Sequence, residues 1–136
     1  MAEPDGSQTF DLRLPPTRQI GATVRRALEE LDLPEDTLEE AQLLASELVS
    51  NSIRHAGLTR FDEVRVKATV SGRMLRVDVF DKSSGELHPL AGSIRPAPGA
   101  ESGWGLYLVD HIASRWGSTP GRYWFQLDVS QGRARN

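Results

Sequence analysis

Three short stretches of this sequence combine residue types that can do chemistry. The first is Glu47, Asn51, Arg54 and His55, in which the later residues follow Glu47 by four, seven and eight positions. Residues three or four apart share one face of a helix. A carboxylate, a carboxamide and basic groups therefore line one stripe, while Leu44, Leu48 and neighbouring alanines line another. A carboxylate can serve as a general base. A carboxamide oxygen suits a hard cation such as Mg²⁺, which takes oxygen ligands, and an arginine suits phosphate. Taken alone, such a stripe is also what the solvated side of any amphipathic helix presents.

The second stretch is Asp81-Lys82-Ser83-Ser84-Gly85, directly after an apolar alternating run that ends at Phe80. An acid at a strand end leading into a glycine-bearing turn can accept a hydrogen bond from an amino-purine, although Asp, Ser and Gly are common in any turn. The third is Gly103-Trp104-Gly105-Leu106, which opens a segment with helical spacing. Glycines let backbone approach a ligand closely. The free N–H groups and dipole of a helix start favour phosphate.

These stretches need elements to hold them. Phe10, Leu12 and Leu14 alternate with polar residues, so a strand is expected over Thr9–Leu14, closed by Pro15 and Pro16. Thr17 is placed to cap a helix carrying Ile20, Val24, Ala27, Leu28 and Leu31, which Pro34 ends. A second helix begins at Asp36 or Thr37, carries Leu38, Ala41, Leu44, Ala45 and Leu48, and stops near His55-Ala56-Gly57, where glycine supplies a left-handed residue. Val64, Val66, Ala68 and Val70, then, after a turn expected at Ser71-Gly72, Leu75, Val77 and Val79, read as two strands of a hairpin with one buried face. Residues 83–103 hold three Pro and four Gly with no sustained period; a loop of that length is usually functional or disordered. Leu106, Leu108, Val109, Ile112 and Ala113 recur at helical spacing, so a helix is expected to end near Trp116-Gly117. A last strand is expected over Tyr123–Val129. The mixed order and short strand connections predict an α+β fold: a two-layer sandwich of a mostly antiparallel sheet with helices on one face. A Rossmann fold, with strict alternation of strands and helices, is not expected.

The 136 residues suit one domain, expected over 9–130 between a disordered N-terminus, 1–8, and a C-terminal tail, 131–136. Without cysteine there is neither a disulfide framework nor a thiolate metal site. Sixteen basic and nineteen acidic residues are interspersed for a net charge of -3, which lacks the basic stripe of a nucleic-acid binder. No apolar run reaches the roughly 20 residues of a membrane span, and Met1 to Gln8 does not read as a secretory signal. A cytoplasmic protein with no direct nucleic-acid or membrane partner is expected. Trp116, Trp124 and Phe125 are expected to pack in or against the core, and His88 and His111 lack a ligand set for a metal.

In combination the three stretches are far more specific. A helix with E-x-x-x-N-x-x-x-H, a strand ending in Asp before a glycine turn, a long irregular segment and G-x-G-L opening a helix resemble the Bergerat-fold, histidine-kinase-like ATPases. SELVSNSIRHAG is similar to the asparagine box, and GWGLYLVDHIASRWG to the second glycine box, of the anti-sigma-factor serine/threonine kinases in that superfamily. The resemblance extends from about Phe10 to Val129. It implies ATP and Mg²⁺ as cofactors. Asn51 would bind Mg²⁺, Glu47 would be the general base, and Asp81 would accept from the adenine amino group beside Gly85. Gly103, Gly105 and Leu106 would wrap the phosphates, Arg54 would touch phosphate, His55 would support the helix end, and residues 86–102 would form a lid over ATP. The partners implied are a sigma factor and an anti-anti-sigma STAS-domain protein, with a homodimer as the assembly. Two features depart from the pattern. Ser83 stands where the first glycine box has glycine, and Arg122 or Tyr123 falls where the superfamily often has threonine. A non-catalytic anti-sigma or adaptor module on the same fold is therefore the alternative. A detached histidine-kinase catalytic domain ranks third, because no long helix bears a phospho-acceptor histidine.

Overall fold

The computed structural model describes residues 7–55, 57–81 and 105–129. In chain order the elements are β1 (Gln8–Leu14), α1 (Ile20–Glu29), α2 (Glu35–His55), β2 (Val64–Ser71), β3 (Met74–Phe80), α3 (Gly105–Ile112), β4 (Arg115–Thr119) and β5 (Arg122–Asp128). The five strands form one antiparallel sheet in the order β1-β2-β3-β5-β4. The α+β class and antiparallel sheet expected from the sequence are what the chain adopts.

Strand alternation divides the sheet into two faces. Val64, Val66 and Ala68 of β2, Leu75, Val77 and Val79 of β3, and Tyr123, Phe125 and Leu127 of β5 are all buried. Pairing sets Val66, Val79 and Tyr123 side by side, and Ala68, Val77 and Phe125 in the next inward row. Helix α2 meets this face with Ala41, Leu44, Ala45, Leu48 and Val49, and α1 adds Ile20, Val24 and Leu28. The first turn of α2 carries Glu35 and Asp36, where negative charge suits the helix dipole. The Pro34 carbonyl accepts from the Leu38 N–H at 2.8 Å, and Gly57 takes the left-handed conformation after the last turn (φ 63°).

Several expected boundaries move. Strand β1 starts at Gln8, whose Oε1 accepts from the Asp32 N–H at 2.7 Å, so the order reaches further toward the N-terminus than Thr9. Helix α1 starts at Ile20 with no side-chain cap; Thr17 contributes its carbonyl, not its hydroxyl, to the Ile20 N–H at 3.1 Å. The hairpin turn falls on Gly72 and Arg73, because Ser71 pairs with Met74. Helix α3 ends at Ile112 rather than near Trp116-Gly117, and Arg115–Thr119 is strand β4 paired with β5. Ser, Gly and Thr are weak helix formers. Pairing places Trp116 beside Phe125 and lets the Gln126 carbonyl accept from the Ser114 N–H at 2.8 Å. Local spacing could not reveal that tertiary partner.

The outer face of the sheet is polar in pattern but not bare. Asp78 is 7% exposed. Arg76 donates to it at 3.0 and 3.2 Å, and Arg122 at 2.9 and 2.6 Å. The Arg76 guanidinium also lies 4.3 Å from the centre of a Trp124 ring, within cation–π range. Two arginines on adjacent strands thus share one carboxylate across the β3–β5 seam. Hydrogen bonds to charged groups are worth more than neutral ones, while the half-exposed arginines recover water when the acid is lost. Asp78→Ala is expected to lower unfolding free energy by about 1–3 kcal/mol, with Asp78→Asn between it and the wild type. Urea denaturation midpoints at constant slope would measure this.

Candidate functional site

The polar stripe of α2 lies beside its core stripe, so the burial of Leu44 and Leu48 decides where Glu47 and Asn51 go. Leu48 is fully buried and Asn51 is 6% exposed, whereas Glu47 is only half-buried. Asn51 is held over β5. Glu47, one turn earlier, meets the start of α3. A Cβ built on Gly105 would stand 2.7 Å from Glu47 Oε1 and 3.1 Å from Glu47 Cβ. Only a residue without a side chain lets the α3 start come this close to the carboxylate. Leu106, the next residue, packs against the core and anchors that start.

Asp81 directly follows β3, and its N–H donates to the Gly121 carbonyl at 2.9 Å. This ties it to the turn that enters β5. Two residues into β5, Tyr123 is fully buried and faces the helices. Arg122 points to the opposite face, onto Asp78. Of the two residues the sequence left open, it is therefore Tyr123 that stands under α2. Burial pushes the Tyr123 phenol far above the ordinary tyrosine range, and the charge of Asp81 pushes it further; a side-chain hydrogen bond with Asn51 and the charge of Arg54 act in the opposite sense. Asn51, Arg54 and Asp81 thus all act on the ionisation of one buried phenol.

Glu47 meets Gly105, while Asn51, Arg54 and Asp81 are near enough to Tyr123 to influence its ionisation. Gly85, Gly103, the expected lid over 86–102, Trp104, His88 and the substituted Ser83 lie outside the described residues. So does the side chain of His55. A groove of about 500 Å³ between α1 and α2 includes Arg54 but none of Glu47, Asn51 and Asp81. A smaller one of about 370 Å³ is lined by Asp81 with Arg13, Glu63, Arg65 and Phe80. Neither groove is the convergence of the three stretches, and geometry around Gly105 and Tyr123 defines the site better than concavity does. Among the described residues no group of His, Asp or Glu is arranged to hold a metal by itself. His111 instead places Nδ1 3.0 Å from the Tyr107 carbonyl and its ring against the Tyr107 ring. Trp116 Nε1 donates to Asp110 at 2.8 Å. Both are packing roles. No helix among the described residues is long and apolar enough to cross a membrane.

A family model described as a histidine kinase-like ATPase domain matches residues 10–122. The chain belongs to that family. The match runs from within β1 to the first residue of β5, and all three stretches fall within it. A solved structure of the RsbU and RsbW domains of Rv1364c from Mycobacterium tuberculosis superposes on it with a TM-score of 0.61 at 20% identity. That match covers 90% of this chain and 32% of the other, so the likeness is one of fold with about a third of a longer protein. No curated protein matches this chain.

The ring at the centre of the site gives it a measurable pH signature. The folded state holds Tyr123 protonated above the ordinary tyrosine value of 10.0, while the unfolded chain releases the proton near that value. The folded state therefore binds more protons once pH passes about 10, and stability falls as pH rises from there. In a Tyr107→Phe background, absorbance at 295 nm is expected to report Tyr123 ionising only together with alkaline unfolding. Asp81→Asn, which removes the adjacent charge, is expected to lower the pH at which the phenol ionises.

Proposed function

We propose that this domain binds ATP between α2 and the start of α3 and transfers its γ-phosphoryl group to a serine of a protein partner. The observation that carries the proposal is the approach of Gly105 to Glu47. It brings a helix N-terminus, suited to phosphate, against a carboxylate suited to a proton. Glu47 would accept the serine hydroxyl proton as its oxygen bonds to the γ-phosphorus and ADP leaves. Phosphoryl transfer needs mainly positioning and charge stabilisation. Asp81, at the other end of Tyr123, would accept from the adenine amino group. Arg54, Gly85, Gly103, Gly105 and Leu106 would contact or enclose the phosphates.

Mg²⁺ fits the donor set in one respect: Asn51 is a carboxamide held at the cleft, and a carboxamide oxygen is the hard donor Mg²⁺ accepts. When bound, the cation would neutralise phosphate charge. The anti-sigma kinase resemblance of SELVSNSIRHAG and GWGLYLVDHIASRWG supports a STAS-domain protein as the phosphorylated partner and a sigma factor as the sequestered one, in the cytoplasm. The RsbU and RsbW domains named for the fold neighbour are consistent with such a system. Phosphorylation would act as a local charge switch that decides which partner is held.

Transfer of label from γ-³²P-ATP to candidate STAS proteins tests this reading. Wild type is expected to label at least one. Glu47→Ala is expected to lose label by a factor of about 10²–10⁴, the range of a general base, while still binding ATP. Ser83, in place of a box glycine, favours a second reading in which the fold binds partners without transferring phosphate. Micromolar ATP binding with no transfer to any candidate would select it, and calorimetry showing no binding at all would sink the nucleotide site.

A further inference from the structure

We propose that the outer face of the sheet, on the side away from the helices, is a docking surface for an acidic segment of a protein partner. The proposal does not depend on the nucleotide-site reading, because Glu47 and Asn51 belong to the helical side.

The charges are interspersed in the sequence, but a strand sends alternate residues to the same face. Arg13, Arg65, Phe80 and Arg122 stand side by side in one outward row, and Asp11, Lys67, Asp78 and Trp124 in the next. Arg76 lies in the row beyond. The cations of this patch outnumber its carboxylates, in a chain whose net charge is -3. Those carboxylates are already engaged. Asp11 accepts from Arg65 at 2.8 and 2.6 Å, and Asp78 is shared by Arg76 and Arg122. The positive charge left over attracts acidic groups.

The patch is also held in place. Arg76 and Arg122 each use Nε and Nη2 on Asp78. A guanidinium has five N–H donors, so the Nη1 donors of both remain for a further acceptor, on side chains that are 33% and 40% exposed. The Arg76 guanidinium lies 4.3 Å from the centre of a Trp124 ring, and those of Arg65 and Arg122 lie 5.2 and 5.4 Å from that of Phe80. Trp124 in turn lies against Gly117, where a Cβ would stand 2.9 Å from its Cζ2. Long side chains fixed beforehand lose little further freedom on binding, and Trp, Phe and Arg are enriched at interface cores. A groove of about 440 Å³ on this face includes Lys67, Met74, Arg76, Phe80 and Arg122. It offers cations to carboxylates, and Met74 and Phe80 to an apolar side chain.

Other occupants match the face less well. Nucleic-acid bases stack on open aromatic faces, and guanidinium groups already lie over Phe80 and Trp124. A second copy related by a twofold axis would bring the same patch against itself, cation facing cation. An acidic segment meets neither difficulty, and it can be held on this side while the α2–α3 side stays open.

The test uses a short fluorescent peptide of alternating Glu and Leu, followed by anisotropy against the full chain. Wild type is expected to bind it, and more weakly as salt rises. Lys67→Glu is expected to weaken binding by about tenfold, as reversing a charge that faces the partner does. Arg26→Glu makes the same charge change at an exposed site on α1 and is expected to alter the affinity by less than about twofold. Equal losses in the two variants would reduce the attraction to overall charge and overturn the proposal. So would the absence of wild-type binding up to about 1 mM peptide. In a ¹⁵N spectrum the Trp124 indole N–H is expected to shift on titration, while that of Trp116, which donates to Asp110, stays in place; an unmoved Trp124 signal would overturn the proposal. Should Lys67→Glu fail to fold, Lys67→Gln, with an expected loss of about threefold, and that spectrum carry the test. Tighter binding of an oligothymidylate than of the peptide, lost in Lys67→Glu, would assign the face to nucleic acid. A wild-type dimer in sedimentation that Lys67→Glu dissociates would assign it to a second copy. Either result would overturn the proposal.

Discussion

One helix has to satisfy two surfaces at once. The stripe of α2 that carries Ala41, Leu44, Ala45 and Leu48 is buried against the sheet, and burial of such side chains contributes about 1.5–3 kcal/mol each. Rotating the helix to aim Glu47 or Asn51 differently would lift that stripe from the core. The core therefore fixes the azimuth of the polar residues. What remains adjustable is what comes to meet them: the start of α3 at Gly105, the strand end at Asp81 and the floor at Tyr123.

That division explains what was legible in the sequence. The hairpin of β2 and β3 and the inward stripe of α2 follow from alternation and helical spacing, which are local properties. Glu47, Asn51, Asp81 and Gly105 could be singled out because each is an unusual type at a structurally marked place. Strand β4 was hidden because Arg115–Thr119 has no distinctive period, and its partner lies across a turn in β5. Asp78 was hidden for a related reason. Alternation assigns it to the outer face, and only the pairing of β3 with β5, which brings Arg122 from a distant part of the chain, buries it.

Tyr123 lies between these cases. Its place at the start of the last strand, where the resembled superfamily often has threonine, made it one of two candidates, but sequence could not decide between it and Arg122. The pleat decides it. Neighbouring residues on a strand face opposite ways, and Arg122 is drawn outward by Asp78. An ion pair on one face of the sheet thus has a partner effect on the other, since the register that gives Asp78 its second arginine also sets Tyr123 under Asn51.

The outer clamp also bears on time as well as position. Strands β3 and β5 are interior in the sheet, buried on the helical side and tied across their outer seam by Asp78. Segments with these properties are the last to open in native-state fluctuations. The floor of the site is therefore long-lived, with Tyr123 in it and Asp81 attached through Gly121. Partial opening elsewhere in the domain can come and go without erasing it, so the Asp81 end of the site stays assembled while other segments fluctuate.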